Sequence, residues 1–119
     1  KKKDFVYVHV EAPDEAGHNG DLREKLTAIE RFDQLIVGKI LSHFKTLKNF
    51  RIMISPDHAT PISVRTHVAD PVCFAIYGKD ISGCGCVGFN EIEAQKSAVY
   101  FERGFELMEY FIKGATPKK

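Results

Sequence analysis

The sequence is poor in cysteine, has no tryptophan and lacks a long apolar run. Its 119 residues include three cysteines. An odd number of cysteines without regular spacing excludes a disulfide framework and favours a reducing, cytoplasmic compartment. No apolar run approaches the roughly 20 residues that a membrane-spanning helix needs, and the first residues show no secretory signal. We therefore predict a cytoplasmic protein with no membrane partner.

The chain also lacks an excess of either charge. Seventeen Lys and Arg residues stand against sixteen Asp and Glu residues, which gives a formal net charge of +1. This balance provides no domain-wide positive field, so we expect no nucleic-acid partner. Hydrophobic residues make up 44% of the chain and charged residues 28%. These fractions are typical of a globular domain and exclude a disordered chain.

Three short apolar runs predict β-strands that are covered on both faces. They lie at residues 5–10, 50–55 and 72–77. Because strands and helical patterns alternate along the chain, we predict an α/β fold with a mainly parallel sheet and helices on both faces. Ligands bind beyond the carboxyl ends of the strands in such sheets, so a site is expected in the loops that follow these runs.

Two helices are predicted between and after the strands. The first covers residues 21–45, with Asp21 as its N-cap and apolar residues that recur three and four positions apart. The second begins after the N-cap Asn90, extends to Ile112 with a break near Gly104, and is closed by a following glycine.

Aspartate and histidine are concentrated in the loops that follow the first two predicted strands. Residues 14–20 are predicted to be a polar loop, in which Gly17 lets the backbone turn so that Asp14 and His18 converge. Three more such residues follow the second strand: Asp57, His58 and His67. Carboxylate oxygen and imidazole nitrogen together bind ions such as zinc or manganese. Any one of these residues is compatible with an ordinary polar loop, whereas five together favour a metal site.

The amino-acid sequence of these segments resembles that of a known enzyme family. Four runs carry the resemblance: HVEAPDEAGHNGD at 9–21, KLTAIERFD at 25–33, PDHATP at 56–61 and HVADPV at 67–72. Their order is that of cofactor-independent phosphoglycerate mutases of the archaeal type, within the alkaline phosphatase superfamily of metalloenzymes. The resemblance implies that residues 4–113 are the C-terminal portion of an alkaline phosphatase-like catalytic domain. Residues 1–3 and 114–119 would then be solvated tails.

The resemblance implies two adjacent divalent ions, with Mn²⁺ expected and Zn²⁺, Co²⁺ or Mg²⁺ as alternatives. Asp14, His18 and His67 would hold one ion, and Asp57 and His58 would contribute to different sides of the pair of ions, mainly to the second. Two such ions serve phosphoryl transfer, because one activates the attacking oxygen and the other stabilises charge on the transferring group. The implied reaction interconverts 3- and 2-phosphoglycerate through a phosphoserine on the enzyme.

Two groups that the family needs have no counterpart in this sequence, namely its nucleophilic serine and a further metal-binding aspartate. No catalytic residue is therefore assigned within the chain. We expect the chain to be part of a longer enzyme, whose N-terminal half supplies those groups and the contacts with a phosphorylated three-carbon acid. Alone, the chain is expected to be inactive. The alternatives are a homoserine kinase (a function proposed for bacterial relatives), a metal-dependent phosphatase and a non-catalytic metal-binding module.

The cysteines are interpreted as having no chemical role. Cys73 falls in a predicted strand, so we expect it to be buried and inert. Cys84 and Cys86 form a single C-x-C pair with no second pair elsewhere. This spacing favours an ordinary glycine-rich loop over a soft-metal or redox site.

Overall fold

The computed structural model of the chain describes residues 3–44 and 46–114. These residues form two compact units. The first contains the described residues up to His43 together with Thr60–Ala69. The second contains the described residues of Phe44–Ala59 and of Asp70–Lys119. The predicted tails at 1–3 and 114–119 lie outside the described residues except for Lys3 and Gly114.

The first unit has a helix where a loop was predicted. Helix α1 spans Ala12–Asn19, so the prediction of a loop over residues 14–20 is wrong. Pro13 stands in the first turn of α1, where its missing N–H has no helical partner to lose. Gly20 ends the helix at φ 70°, the left-handed conformation that glycine adopts readily. Proline and glycine therefore mark the two ends of a helix here, not a loop.

The helix predicted over residues 21–45 is present but is not uniform. Helix α2 spans Leu22–Phe32, a π-helical turn spans Asp33–Val37, and helix α3 spans Gly38–Phe44. The carboxylate of Asp21 accepts a hydrogen bond of 2.8 Å from the Glu24 N–H, which confirms the predicted N-cap. The predicted last residue, Lys45, lies outside the described residues.

Residues 5–10 do not form a strand, which corrects the first predicted element. They have no regular secondary structure, and Val6 and Tyr7 are each 71% exposed. A strand needs a neighbour that shares its backbone hydrogen bonds. Within residues 3–44 and 46–114 no segment pairs with this one. The apolar composition is that of a covered strand, but the described residues provide no cover.

Few apolar side chains are buried in the part of the chain that the structure describes. Its buried hydrophobic residues are Ala16 and Val37. The apolar stripe of α2 stays about half exposed at three positions: Leu22, Leu26 and Ile29. The helical periodicity of α2 is therefore real, although its apolar stripe is not covered.

None of the helices formed by the described residues has the length and apolar content that a bilayer crossing requires.

The second unit contains a two-stranded sheet. Strand β1 spans Arg51–Ile54 and confirms the strand predicted at residues 50–55. Strand β2 spans Ala75–Gly78, so it begins and ends later than the predicted run at 72–77. The strands are antiparallel, with Ile52 opposite Tyr77. The predicted parallel sheet with helices on both faces is not found in the described residues. Parallel neighbours need a long crossover, and no helix lies between β1 and β2.

Two separate helices take the place of the one predicted after Asn90. Helix α4 spans Glu91–Lys96, and the Asn90 side chain accepts a hydrogen bond of 2.9 Å from the Glu93 N–H, as expected of an N-cap. Helix α5 spans Glu106–Lys113 and is closed by Gly114 at φ 68°, as predicted. The interruption covers residues 97–105, so the predicted break near Gly104 is confirmed, although it begins already at Ser97.

The interruption begins at a serine that bonds to the backbone. The Ser97 hydroxyl donates to the Ala94 carbonyl at 2.7 Å and accepts from the Val99 N–H at 3.2 Å. Serine side chains compete in this way with the helical ladder for backbone partners. Ala98 then adopts a positive φ of 56°, which a right-handed helix does not allow.

Arg51 joins the first residue of β1 to the end of α5. Its Nη1 donates to the carbonyls of Phe111 and Ile112 at 2.9 and 2.7 Å, and its Nε donates to the Lys79 carbonyl at 2.7 Å. The last carbonyls of a helix have no partner within the helix. The guanidinium therefore satisfies groups that would otherwise need water.

Glu93 provides a pH-dependent contact in the second unit. Its carboxylate accepts hydrogen bonds from the Lys96 ammonium at 2.5 Å and from the Val87 N–H at 3.1 Å. Both contacts, that of Lys96 first, lower the pKa of Glu93 below its ordinary value of about 4.5. A depressed pKa contributes stability that is fully present above the ordinary value and is lost as the pH falls through the lower folded-state value.

We predict that Glu93→Gln removes this acid-dependent contribution around α4. In the unmodified chain, protection of the Val87 amide against hydrogen exchange should decrease as the pH falls through the lowered pKa of Glu93. In Glu93→Gln, whose side-chain oxygen still accepts but carries no charge, the amide should be less protected than in the unmodified chain at neutral pH, and its protection should not change in this pH range. The matched control is Glu91→Gln, which removes a carboxylate from the same helical turn and leaves both contacts in place. Identical pH profiles for Glu93→Gln and the unmodified chain would contradict the prediction.

Candidate metal centre

Helix α1 brings Asp14 and His18 together. The two residues are four positions apart, so they lie on the same face of the helix one turn from each other. His18 Nε2 lies 3.4 Å from the nearer carboxylate oxygen of Asp14. The convergence predicted for these residues is therefore present, but it comes from helical spacing and not from a turn at Gly17.

His67 joins the pair from the segment Thr60–Ala69 of the same unit. Its Nε2 lies 3.5 Å from Asp14 Oδ1 and 3.1 Å from His18 Nε2. The side chains of Asp14, His18 and His67 are 34%, 40% and 51% exposed, so solvent and ions reach all three. The structure thus gathers the three residues that the resemblance assigns to one ion. That they bind it stays a prediction.

The spacing of the two imidazoles and the Asp14 carboxylate suits one divalent ion. Ligands that bond to a tetrahedral zinc ion at about 2.0–2.1 Å lie roughly 3.3–3.4 Å from one another. The two imidazole Nε2 atoms lie 3.1 Å apart, and each is near an oxygen of the Asp14 carboxylate: His18 lies 3.4 Å from Oδ2 and His67 lies 3.5 Å from Oδ1. Two imidazole nitrogens and one carboxylate oxygen are also a donor set that zinc and manganese accept. Asp14, His18 and His67 are therefore suited to a single divalent ion such as Zn²⁺ or Mn²⁺.

A backbone carbonyl orients the His18 ring. His18 Nδ1 lies 3.0 Å from the Arg65 carbonyl oxygen, an acceptor that only a protonated Nδ1 can satisfy. In the neutral ring, Nε2 then carries the lone pair, and it faces Asp14 and His67. Metal-binding histidines are commonly held in this way by a partner on the other ring nitrogen. Arg65 adopts a φ of 57°, which is uncommon for a residue other than glycine.

A buried threonine positions the carboxylate of Asp14. Thr60 is 6% exposed, and its hydroxyl donates to Asp14 Oδ1 at 2.5 Å. Its backbone carbonyl accepts a hydrogen bond of 2.6 Å from the Lys25 ammonium of α2. Sequence reasoning assigned Thr60 no role. Its place in the DHAT run, beside two predicted ligands, is the signal that could have indicated one.

Gly17 allows α1 to approach this threonine. A Cβ atom at position 17 would lie 2.6 Å from the Thr60 carbonyl oxygen and 3.0 Å from its methyl carbon. Contacts this short do not occur for real side chains, so any larger residue forces the backbone apart. The role of Gly17 is therefore to permit a close contact within the helix, and not to provide a loop turn.

Asp57 and His58 lie in the second unit, directly after β1. His58 Nε2 lies 3.5 Å from Asp57 Oδ2, and the His58 N–H donates to Asp57 Oδ1 at 3.1 Å. The pair therefore presents an oxygen and a nitrogen donor next to each other. The assignment of these two residues to a second ion stays a prediction.

Acidic and imidazole donors at ligand spacing, in a chain of helices and short strands, are typical of a metal-binding protein of the α/β type. A profile of the Metalloenzyme superfamily matches residues 1–101. The chain belongs to this superfamily. No solved structure matches the chain significantly.

Several curated relatives are named for the same reaction. The chain is 44% identical over 92% of its length to a probable 2,3-bisphosphoglycerate-independent phosphoglycerate mutase of Geobacter sulfurreducens. It is 45% identical over 95% of its length to the 2,3-bisphosphoglycerate-independent phosphoglycerate mutase of Methanosarcina barkeri, and 50% identical over 82% to that of Methanosarcina acetivorans. The matched regions cover 28%, 29% and 25% of these relatives, so the chain spans less than a third of their length.

We predict that Gly17→Ala destabilises the first unit. The added methyl group meets a backbone carbonyl that cannot rotate away, and overpacking of this kind costs about 1–3 kcal/mol. The midpoint of urea unfolding should fall accordingly. The matched control is Gly104→Ala, whose added Cβ has no atom within 4 Å and should leave the midpoint nearly unchanged. Equal midpoints for the two variants would show that the approach of α1 to Thr60 is not tight.

We predict that His67→Ala weakens the binding of Mn²⁺ or Zn²⁺ by more than about tenfold, because it removes one of three converging donors. Titration calorimetry on the 119-residue chain measures the effect. His43→Ala, which removes a histidine from the last turn of α3, is the matched control and should bind as the unmodified chain does. Equal losses in the two variants would contradict the assignment of His67.

Proposed function

We propose that the chain is the C-terminal portion of a divalent-metal-dependent 2,3-bisphosphoglycerate-independent phosphoglycerate mutase. The observation that carries the proposal is the convergence of Asp14, His18 and His67 at distances that suit one ion. The names of the relatives supply the reaction. The chain matches less than a third of these proteins, and in this proposal the remaining catalytic groups belong to the N-terminal part of a longer enzyme.

The residues of the chain hold and orient the groups of the site. Asp14 supplies negative charge, and Thr60 fixes the direction of its carboxylate. His18 presents Nε2 because Arg65 holds Nδ1, and His67 supplies the second imidazole. A divalent ion bound there, with Mn²⁺ as the expected metal, would polarise a phosphoryl oxygen as a Lewis acid. In this proposal Asp57 and His58 serve the second ion.

The uncovered apolar segment over residues 5–10 supports a longer fold. Phe5 and Val8 are each 52% exposed, and backbone groups of such a segment can pair with a further strand. We infer that this segment is a strand of a mainly parallel, alkaline phosphatase-like sheet in the longer enzyme, with helices on both faces. By the same inference, the exposed apolar stripe of α2 (Leu22, Leu26 and Ile29) packs against other parts of that domain.

The substrate and the compartment follow from the same proposal. The substrate is a phosphorylated three-carbon acid, and its contacts belong to the N-terminal part of the enzyme. Cys73, Cys84 and Cys86 are all free thiols in the structure, which suits a reducing cytoplasm.

The test compares the 119-residue chain with the longer protein from the same reading frame, each supplied with excess Mn²⁺. The longer protein should interconvert 3- and 2-phosphoglycerate at on the order of 1 s⁻¹ or more, a rate typical of enzymes. The chain alone should show no turnover, because the groups of such a site act as a unit. His67→Ala in the longer protein should lose more than the roughly 10–100-fold that removal of an outer-shell partner costs.

Three other outcomes would overturn the proposal. Phosphorylation of homoserine by the longer protein with ATP would identify a kinase. Release of inorganic phosphate without isomerisation would identify a phosphatase. Full turnover by the 119-residue chain would show that its own residues include the phosphoryl acceptor.

A further inference from the structure

The loop between β2 and α4 brings two thiols into contact. Cys84 and Cys86 are separated by one glycine, and their sulfur atoms lie 2.9 Å apart. Gly85 adopts a φ of 78°, the left-handed conformation that turns the backbone between the two cysteines. A disulfide has a sulfur–sulfur distance of about 2.05 Å, so a further approach of roughly 0.9 Å would join them.

The surroundings of the two thiols leave them accessible to small molecules and leave the loop room to move. Cys84 is exposed and Cys86 is half-buried, with its sulfur 3.2 Å from the Glu93 carbonyl oxygen. Cβ atoms added at Gly83 or Gly85 would meet no atom within 4 Å, so the loop has room to close around the sulfurs. Within the described ranges, no third histidine, cysteine or carboxylate donor joins the pair. Because tetrahedral soft-metal sites use four ligands, the arrangement is less suited to a metal than to a bond between the sulfurs.

We propose that Cys84 and Cys86 form a redox-active dithiol, which closes to an intramolecular disulfide by exchange with a low-molecular-weight disulfide such as glutathione disulfide. This inference concerns a loop outside the metal centre and does not depend on the proposed mutase activity. It replaces the interpretation of the pair as an ordinary loop.

The two cysteines have different roles in the exchange. The contact with Cys86 lowers the pKa of the Cys84 thiol, and the reciprocal contact raises the pKa of Cys86. Cys84 is therefore the attacking thiolate, since thiolates and not thiols react with disulfides. Its attack forms a mixed disulfide and releases one glutathione thiolate. Cys86 then loses its proton, attacks the Cys84 sulfur and releases the second glutathione.

The exchange balances in electrons and protons. The protein dithiol loses two electrons and two protons, and one glutathione disulfide becomes two molecules of glutathione. The ring that closes contains one intervening residue, and small strained disulfides are more oxidising than structural ones. The pair is therefore suited to reversible exchange and not to permanent cross-linking.

The experiment equilibrates the 119-residue chain with reduced and oxidised glutathione at several ratios, followed by acid quenching and mass spectrometry. The unmodified chain should lose the mass of two hydrogen atoms and remain monomeric. Cys84→Ser and Cys86→Ser should each gain the mass of one glutathione instead. The matched control is Cys73→Ser, whose half-buried thiol has a pKa raised by burial and should leave the result unchanged. Predominant mixed disulfide or disulfide-linked dimer in the unmodified chain would overturn the proposal.

A pair of alanine variants tests whether the folded conformation of the loop holds the two thiols together. Neither Gly83→Ala nor Gly85→Ala creates a side-chain clash, but only position 85 has a positive φ. The left-handed conformation is costly for alanine, so Gly85→Ala should lower the equilibrium constant for disulfide formation about fivefold or more relative to Gly83→Ala. The constant of the unmodified chain should also fall in concentrated urea. Equal constants for the two variants, or no change in urea, would show that the structure does not prearrange the thiols.

Discussion

The close approach of α1 to Thr60 is the contact on which the first unit depends. Gly17 removes the side chain that would block it, and the Thr60 hydroxyl then reaches the carboxylate of Asp14. Lys25 holds the carbonyl of the same threonine from α2. One residue therefore ties two helices to the segment that carries His67. A small displacement there changes the direction of the carboxylate as well as the packing, which is why positioning and stability are coupled at this point.

The sequence predicts best the features that depend on neighbouring residues. The caps at Asp21 and Asn90 and the strand at residues 50–55 appear where local chemistry places them. The strand at residues 5–10 does not, because strand formation needs a partner and local composition cannot supply one. The direction of β1 relative to β2 was missed for a related reason. Direction is set by the connection between strands, and the spacing of apolar residues does not report it.

The candidate metal centre shows the same division between residue type and geometry. Aspartate and histidine next to predicted strands indicate a site because few other residues bind divalent ions. The helix that aligns Asp14 with His18 was missed, since Pro13 and Gly20 are as typical of loops as of helix ends. Thr60 was missed because hydroxyl groups occur in every loop. Its importance comes from its burial and from one hydrogen bond, and both are properties of the folded chain.

Arg51 has a consequence for how the second unit folds. It joins β1 to carbonyls 60 and 61 residues further along the chain. Contacts of such sequence separation require the closure of a long loop before they contribute any stability. The residues between include Thr60–Ala69, which belong to the first unit. Within the second unit, α5 is therefore expected to dock after β1 and β2 have paired, because the paired strand residues are much closer together in sequence.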